Sequence, residues 1–363
     1  MSKPLRTILL PALITLAYLL VFPRHTGEEP LIERSWAVDI EAGAEAASAD
    51  GSDGAEAAEP RVMPFRLGPV FGYFYTDGRI LSADRVLYGL AQSGELFSNY
   101  SVVSENIVLQ DRDGGLVRSI PASGYPQLDA GRLYVFAPDG STVSQWTVDG
   151  AEVWRRNFVS VLTDLDGGPA GTAVGLLNGE LYLLDAEGEE TFSYTAEGSR
   201  IGVTLSVAVG RSPDVFAAVS GIDPQRLILF ERHSEGFFPV FQLDLESDYR
   251  RSVVLEFLPD GRSLVVEQPG GVLVYDRHTE GFSRIDLGGP VEVVDSMSAF
   301  DLVLTASRPR GSSGRVRLQA TVRESVPLFA QEAETGPVFL RAAGNRFYLG
   351  LDGRLACIEL LHG

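Results

Sequence analysis

Apolar and polar residues alternate in short runs along most of the chain, without sustained helical spacing. From about Phe65 onward, runs rich in valine, leucine, tyrosine and phenylalanine are separated by turn dipeptides. Asp-Gly occurs seven times after residue 60, first at Asp77, and Asn178-Gly179 adds an eighth hairpin signal. No stretch of this region keeps a helical period beyond a turn or two. The pattern predicts an all-β region of many short strands joined by hairpins.

The hairpins form two interleaved series. The glycines of the first series are Gly114, Gly150, Gly188, Gly236 and Gly281, at intervals of 36, 38, 48 and 45 residues. The turns of the second series precede an apolar strand, at intervals of 39 to 47 residues: Gly140, Gly179, Pro224, Gly271, Gly314 and Gly353. A period near 40–45 residues with about four strands in each period predicts a β-propeller.

Counting the units predicts seven blades, with six or eight as alternatives. Their bounds are 65–121, 122–158, 159–198, 199–246, 250–287, 288–333 and 336–361. The last unit has only three strands, so its fourth strand must come from elsewhere. Glu33–Ile40 is the preferred donor because Trp36 is placed like Trp154, and Arg61–Leu67 is the alternative. Such a strand would close the ring and remove its exposed edge.

Two hairpins carry a resemblance to a known repeat. "WTVDGAEVWRR", in which Trp154 follows an aspartate-glycine turn, resembles the PQQ-type propeller repeat, and "LYLLDAEGEETF" is similar with Phe192 at the tryptophan position. The PQQ-like and WD40-like superfamily includes quinoprotein dehydrogenases and BamB-like envelope scaffolds that are not enzymes. The resemblance therefore implies a propeller and leaves both roles open.

The amino-terminal residues predict an extracytoplasmic address. Lys3 and Arg6 precede 16 uncharged residues, Thr7–Phe22, which is typical of a Sec-type segment. Residues 1–24 are predicted to be a signal anchor with a transmembrane helix, and a cleaved signal peptide is the alternative. Either one places residues 61–363, the predicted propeller, on the periplasmic side of the cytoplasmic membrane. An apolar start on a cytoplasmic protein is the third possibility.

An acidic stretch separates the predicted closing strand from the propeller. Within residues 25–60, the segment Glu41–Pro60 contains six acids and no bases, with only Ala, Gly, Ser and Pro besides. It predicts a flexible, self-repelling linker, because it has too few apolar groups to offset the entropy of ordering. An acidic interaction tail is the alternative.

Composition excludes several classes of function. The net charge of −19 disfavours binding to nucleic acid phosphates. Lys3 is the only lysine and Cys357 the only cysteine. The predicted propeller therefore has no lysine for Schiff-base chemistry, no intramolecular disulfide and no cysteine-based zinc cluster. His233 and His278 occupy equivalent hairpins of adjacent predicted blades, "ERHSEGF" and "DRHTEGF", too far apart to share a metal.

Three further motifs each have a structural and a functional interpretation. "TDLDGGP" with Asp164 and Asp166, and "DRDGG" at residues 111–115, could begin a calcium loop, but turn chemistry is the favoured interpretation. Asn99-Tyr100-Ser101 matches a glycosylation sequon. The loop "SRPRGSSGRVR" is the one basic cluster and a possible partner-binding loop, through Arg308, Arg310, Arg315 and Arg317.

The sequence contains no recognisable catalytic set and no nucleotide-binding motif. We therefore predict a membrane-anchored, non-enzymatic propeller that binds cell-envelope proteins, with no cofactor and no metal. A ligand- or glycan-sensing propeller and a PQQ-dependent dehydrogenase are the alternatives.

Overall fold

The strands of this protein are organised into eight sheets. A computed structural model describes residues 31–47, 60–101, 105–311, 314–322, 326–334 and 336–361. These residues form 31 strands, one α-helix, α1 (Ile40–Ala47), and a 3-10 turn at Ser298–Phe300. The strands pair antiparallel within eight sheets, seven of four strands and one of three.

The strand bounds follow chain order. Blades 1 to 4 contain β2 (Val62–Leu67), β3 (Val70–Tyr75), β4 (Ile80–Arg85); β5 (Gly89–Gln92), β6 (Leu96–Tyr100), β7 (Ile107–Asp111), β8 (Leu116–Ile120); β9 (Tyr125–Asp129), β10 (Arg132–Phe136), β11 (Thr142–Trp146), β12 (Glu152–Asn157); β13 (Leu162–Gly168), β14 (Gly171–Leu176), β15 (Glu180–Leu184) and β16 (Glu190–Thr195). Blades 5 to 8 contain β17 (Ile201–Val209), β18 (Val215–Ile222), β19 (Gln225–His233), β20 (Gly236–Leu245); β21 (Leu255–Phe257), β22 (Ser263–Gln268), β23 (Gly271–Asp276), β24 (Gly281–Asp286); β25 (Val291–Met297), β26 (Leu302–Ser307), β27 (Arg315–Val322), β28 (Val326–Glu334); and β29 (Phe339–Ala343), β30 (Arg346–Leu351), β31 (Arg354–Leu361) with β1 (Leu31–Asp39).

The protein is an all-β, eight-bladed propeller, so the prediction of seven blades is wrong. The predicted unit 65–121 contains two blades, β2–β4 and β5–β8. The first of them is short because it has three strands. The first hairpin series starts at Gly114 and omits the turn at Gly78, which lies 36 residues earlier, between β3 and β4, so a count that starts at Gly114 merges the two blades.

Blade 1 lacks the innermost strand of the four-stranded pattern. In blade 3, the amide of Phe158 after the fourth strand donates to the carbonyl of Ser141, which lies between the second and third strands. In blade 1 the equivalent bond joins the amide of Val86 to the carbonyl of Pro69 at 2.8 Å. Strands β2, β3 and β4 therefore correspond to the second, third and fourth strands of the other blades.

The ring is closed by the first described strand of the chain. β1 pairs antiparallel with β31, with Leu31 opposite Leu361 and Asp39 opposite Arg354. This strand contains residues 33–39 of the segment proposed as donor from the sequence. The chain then enters helix α1, so the first residues of the stretch predicted as a flexible linker are helical.

The core lies between the blades, where each sheet buries both faces against its neighbours. In blade 5 every residue of β18 is buried, and the rings of Phe216 and Phe230 stack with centroids 4.6 Å apart. Such strands contain nearly continuous apolar runs because neither face meets water. The core is therefore divided into clusters that follow the gaps between adjacent blades.

Successive strands of a blade run antiparallel, so the loops that connect them lie alternately on two faces of the ring. The upper face consists of the loops that lead into the first strand of a blade and the loops that join its second and third strands. The lower face consists of the other two sets of loops. Because β1 corresponds to a fourth strand, its first residue, Leu31, lies at the lower face and Asp39 lies at the upper face.

The predicted membrane segment, residues 1–24, lies outside the described residues. Within the described part of the chain, no helix is both long and apolar enough to cross a membrane.

Candidate functional site

The first strands of the blades surround a central channel. Its larger cavity, of about 680 Å³, is lined by β9, β13, β17 and β21 and contains Asp129, Asp164, Asp166, Arg211 and Glu256. A second cavity, of about 400 Å³, lies beside β2, β25 and β29. The channel wall is therefore rich in carboxylates, with arginines at a few positions.

Side chains on the first strands join blades 3 to 4, 4 to 5, 5 to 6 and 7 to 8. Carboxylate oxygens accept hydrogen bonds from main-chain amides of the following blade. The amide of Gly167 donates to Asp129 Oδ2 at 2.6 Å and that of Val207 to Asp164 Oδ2 at 2.9 Å. The amide of Val209 donates to Asp166 Oδ2 at 2.6 Å and that of Ala342 to Asp295 Oδ2 at 2.9 Å. Ser206 Oγ accepts the amide of Val253 at 2.9 Å. These bonds satisfy main-chain groups that have no strand partner on the channel side.

Asp164 and Asp166 lie in strand β13 on the channel wall, so turn chemistry does not explain them. Burial raises the pKa of Asp164 to about 6. Burial, and next the nearby charge of Asp129, raise the pKa of Asp166 to about 8. Asp166 therefore keeps its proton at neutral pH and can donate to Asp129. Among the described residues, no group of three histidine, cysteine, aspartate or glutamate side chains is arranged to hold a metal.

Turn chemistry is confirmed for the other aspartate pair. Asp111 Oδ1 accepts the amides of Asp113 at 3.0 Å and Gly115 at 2.7 Å. The two predicted histidine hairpins are also confirmed as equivalent, because His233 and His278 lie between the third and fourth strands of blades 5 and 6. Both side chains are exposed on the lower face.

The two repeat tryptophans pack on a glycine of the next blade. At Gly188, a Cβ atom would lie 2.4 Å from Trp154 Cγ, and at Gly78 it would lie 2.9 Å from Trp36 Cδ2. Both glycines have positive φ, 78° and 102°. Trp36 Nε1 donates to the carbonyl of Thr76 at 3.1 Å. These contacts join adjacent blades at their fourth strands.

The remaining glycines of the first hairpin series lie where the repeat places them, between third and fourth strands. Gly114, Gly150 and Gly236 have positive φ, like Gly188. In the last hairpin of this series Glu280 adopts the left-handed conformation, with φ of 52°, and Gly281 begins β24.

The structure places the basic cluster on the upper face of blade 7. Arg308 and Arg310 lie in the loop, whereas Arg315 and Arg317 belong to β27. Arg308 binds Glu292 and donates to the carbonyl of Gly336 at 3.1 Å. Arg315 pairs with Glu334 at 3.2 Å and lies 3.8 Å from Glu332. Two of the four arginines therefore already have acidic partners.

The sequon asparagine has a structural role. Asn99 Nδ2 donates to the carbonyl of Arg85 at 2.9 Å, and its Oδ1 accepts the amide of Leu87 at 2.9 Å. The amide of Tyr88 donates to the carbonyl of Tyr100 at 3.1 Å. Asn99 thereby fixes the short loop from blade 1 to blade 2.

This loop begins a band of apolar groups on the upper face, all of them exposed except the half-buried Tyr100. We define the apolar arc as Leu87, Tyr88, Tyr100, Tyr125, Val159, Val161, Leu177 and Ile201. All eight belong to upper-face loops, or to the adjoining strand ends, of blades 2 to 5. Leu87 is 70% exposed, Val159 87% and Leu177 54%. The arc is therefore a candidate surface for contact with a partner.

Comparison with known proteins agrees with the fold. The family model described as beta-propeller protein matches residues 2–363. The chain belongs to this family. An uncharacterized protein of Treponema pallidum (strain Nichols) is 25% identical over 350 residues, which cover 96% of this chain and 92% of that protein. The crystal structure of BamB from Moraxella catarrhalis matches with a TM-score of 0.56 and 14% identity, covering 92% of this chain and 99% of BamB.

Sequence reasoning missed the apolar arc, and it interpreted two of the channel carboxylates, Asp164 and Asp166, as turn residues. The arc has a signal in the sequence, since "VLY" at 86–88 and "FVSV" at 158–161 are apolar where a loop is normally polar. The carboxylates had none, because Asp166-Gly167 has the same letters as a hairpin turn.

Proposed function

We propose that this protein is a non-enzymatic scaffold that binds cell-envelope proteins through its upper face. In this proposal the amino-terminal segment anchors the chain to the cytoplasmic membrane, and the propeller lies on the periplasmic side. The similarity of fold to BamB supports this class of role.

The observation that carries the proposal is the concentration of exposed apolar groups in one arc. Four consecutive blades contribute to it, and apolar patches of this kind on soluble domains mark protein contacts. Its three tyrosines are of the residue type that is enriched at interaction hot spots.

The position of Leu31 supports an orientation of this scaffold. Residues 23–30 separate the apolar run from Leu31, and a fully extended chain of that length spans at most about 29 Å. Leu31 lies at the lower face of blade 8, which is opposite blade 4 in a ring of eight. The anchor would therefore hold the lower face near the membrane, with the arc turned away from it.

The channel cavity supports a second candidate function, a ligand-sensing propeller. A cavity of about 680 Å³ lined by carboxylates and Arg211 has the size of a small-molecule site. A thermal-shift screen with sugars and other small polar molecules tests it. A shift that disappears in an Arg211→Ala variant would favour this candidate.

Photocrosslinking in native membranes tests the scaffold proposal. A photoreactive amino acid is placed at Tyr88 or Leu177 in the arc, and at Phe238 or Phe282 on outer strands as matched exposed controls. We expect one recurrent envelope protein at both arc positions and neither control. Equal capture at all four positions, or no protein at the arc, would reject the proposal.

A further inference from the structure

We infer that the apolar arc takes an apolar segment of a partner protein whose flanking side chains are arginine or lysine. The inference rests on the proposed scaffold function and adds the chemistry of the partner. Three properties of the described surface support it: a fixed set of tyrosines, an apolar remainder and an acidic surround.

The tyrosines form a ladder held in place before any partner arrives. The ring centroids of Tyr88 and Tyr100 are 6.4 Å apart, and those of Tyr100 and Tyr125 are 6.5 Å apart. At Gly89 a Cβ atom would lie 2.2 Å from Tyr100 Cζ, so only glycine lets this ring cover the main chain. Asn99 fixes the loop that contains Tyr88. Binding therefore costs little further ordering of these rings.

The rest of the arc is aliphatic and continues across two more blades. Val159 and Val161 precede β13, Leu177 lies between β14 and β15, and Ile201 begins β17. The amide of Leu177 donates to the carbonyl of Val161 at 2.9 Å, which joins two of these loops. An apolar segment laid along blades 2 to 5 would cover side chains that now face water.

Acidic residues near the arc favour a partner segment with basic flanking residues. Several charged residues lie in the described upper-face loops of blades 2 to 5, including the loop that leads into each blade. These loops contain one base, Arg200, and four acids, Glu105, Asp139, Glu197 and Asp223. Arg200 is already paired with Asp223 at 2.5 Å. The whole chain has a net charge of −19. Arginine or lysine flanks would be attracted here, and tyrosine faces also accept cations.

One arginine lies close to the ladder. Arg66 acts on Tyr100 electrostatically and lines the channel cavity beside β2. Arg66 would repel a basic flank from the part of the arc next to β2. Such a flank would therefore lie over Glu105 or Glu197, on the loops farther from Arg66.

Two fluorescent peptides test this chemistry on the full-length protein in detergent. Both have the same alternating leucine and serine centre, and their flanks are arginine in one and glutamate in the other. We expect the arginine-flanked peptide to bind about tenfold more tightly at low salt and to lose this advantage at high salt.

Variants assign the binding to the arc. Tyr88→Ser with Leu177→Ser should weaken binding of the arginine peptide by about tenfold, whereas Phe238→Ser with Val240→Ser, of similar exposure, should not. Glu105→Gln with Glu197→Gln should remove the preference for arginine and leave the thermal midpoint unchanged.

The outcomes separate this inference from the scaffold proposal. Equal binding of the two peptides, no binding of either, or binding unaffected by the arc variant would overturn the inference. If photocrosslinking still captured an envelope protein at Tyr88 and Leu177, the scaffold function would stand with a partner of different chemistry.

Discussion

The indole nitrogen of Trp36 donates a hydrogen bond to the carbonyl of Thr76 at 3.1 Å, and this bond joins the closing strand to blade 1. The same indole lies against Gly78 and contacts the rings of Phe74 and Tyr348. Trp36 therefore connects both ends of the ring: the strand that completes blade 8 and the sheet that follows it.

We expect Trp36→Ala to destabilise the protein by roughly 3 kcal/mol, because it removes a large packed ring and its hydrogen bond together. Trp36→Phe keeps a ring and should cost less, on the order of 1–2 kcal/mol. The midpoint of urea unfolding measures both. Leu116→Ala, at a 70% exposed position, is the control and should change little. Equal midpoints for the wild type and Trp36→Ala would show that this contact does not stabilise the ring.

Removing the closing strand should be more damaging than any single substitution. Deletion of residues 33–40 leaves the edge of β31 unpaired, so we expect a lower thermal midpoint and association through the open edge. Differential scanning calorimetry and light scattering measure the two effects. Leu31→Ser, at the exposed end of the same strand, is the control. A deletion protein with an unchanged midpoint would contradict this role for β1.

Asp166 makes stability depend on pH in a defined direction. Its pKa is about 8 in the folded protein, raised from 3.8 by burial and then by the charge of Asp129. A carboxyl group whose pKa is raised by folding contributes stability that is fully present below its pKa in the unfolded chain. This contribution is lost as the pH rises through its pKa in the folded protein. The Asp166→Asn side chain cannot ionise. The difference in thermal midpoint between this variant and the wild type should therefore shift in favour of the variant as the pH rises from about 5 to 9.

Asp164→Asn provides the comparison for this pH dependence. Burial raises the pKa of Asp164 to about 6. The shift in thermal midpoint of Asp164→Asn relative to the wild type should therefore be complete near neutral pH. For Asp166→Asn the shift should continue to about pH 8. Identical pH profiles for the two variants would contradict the assignment of separate pKa values.

Asn99 should control the mobility of the loop that begins the apolar arc. Asn99→Ala removes the bonds to Arg85 and Leu87, and because both bonds lie at the exposed surface the cost should be about 1 kcal/mol. Hydrogen exchange at the amides of Leu87 and Tyr88 should accelerate, while exchange in blade 5 should not. Unchanged exchange at Leu87 would mean that the loop is held by other contacts.

We expect the arginines of blade 7 to differ in their effect on stability, because some make ion pairs with described residues and others do not. Arg308→Ala loses the contacts to Glu292 and Gly336, so we expect a loss of up to about 1 kcal/mol. Arg310 makes no ion pair with a described residue, so Arg310→Ala should leave the urea midpoint unchanged. A larger loss for Arg310→Ala than for Arg308→Ala would reverse this division.

The repeat could be recognised from the sequence because turn residues mark most of the hairpins. A propeller of hairpins with period 40–45, and a late unit that lacks a strand, follow from glycine positions and apolar runs alone. The blade count was wrong because blade 1 lacks its inner strand and because the hairpin series omits its turn at Gly78, one repeat interval before Gly114.

The candidate site could be predicted only in part. The arginine loop is visible as a local cluster, but its ion pair with Glu292 depends on how the strands of blade 7 pair. The apolar arc comes from four loops far apart in sequence that meet only once the ring has formed. The channel carboxylates could not be recognised, because "LDG" in β13 has the letters of a turn while its main chain is extended.

Pairing of β1 with β31 also sets the order of events during synthesis. Leu31 is translated before the strands of all the other blades, whereas its partner Leu361 is translated after them. Seven blades can assemble in the meantime, but the ring cannot close until β31 has been translated. The unfinished ring has two open strand edges throughout, so a stalled or truncated chain would be a substrate for chaperones and proteases rather than a smaller working protein.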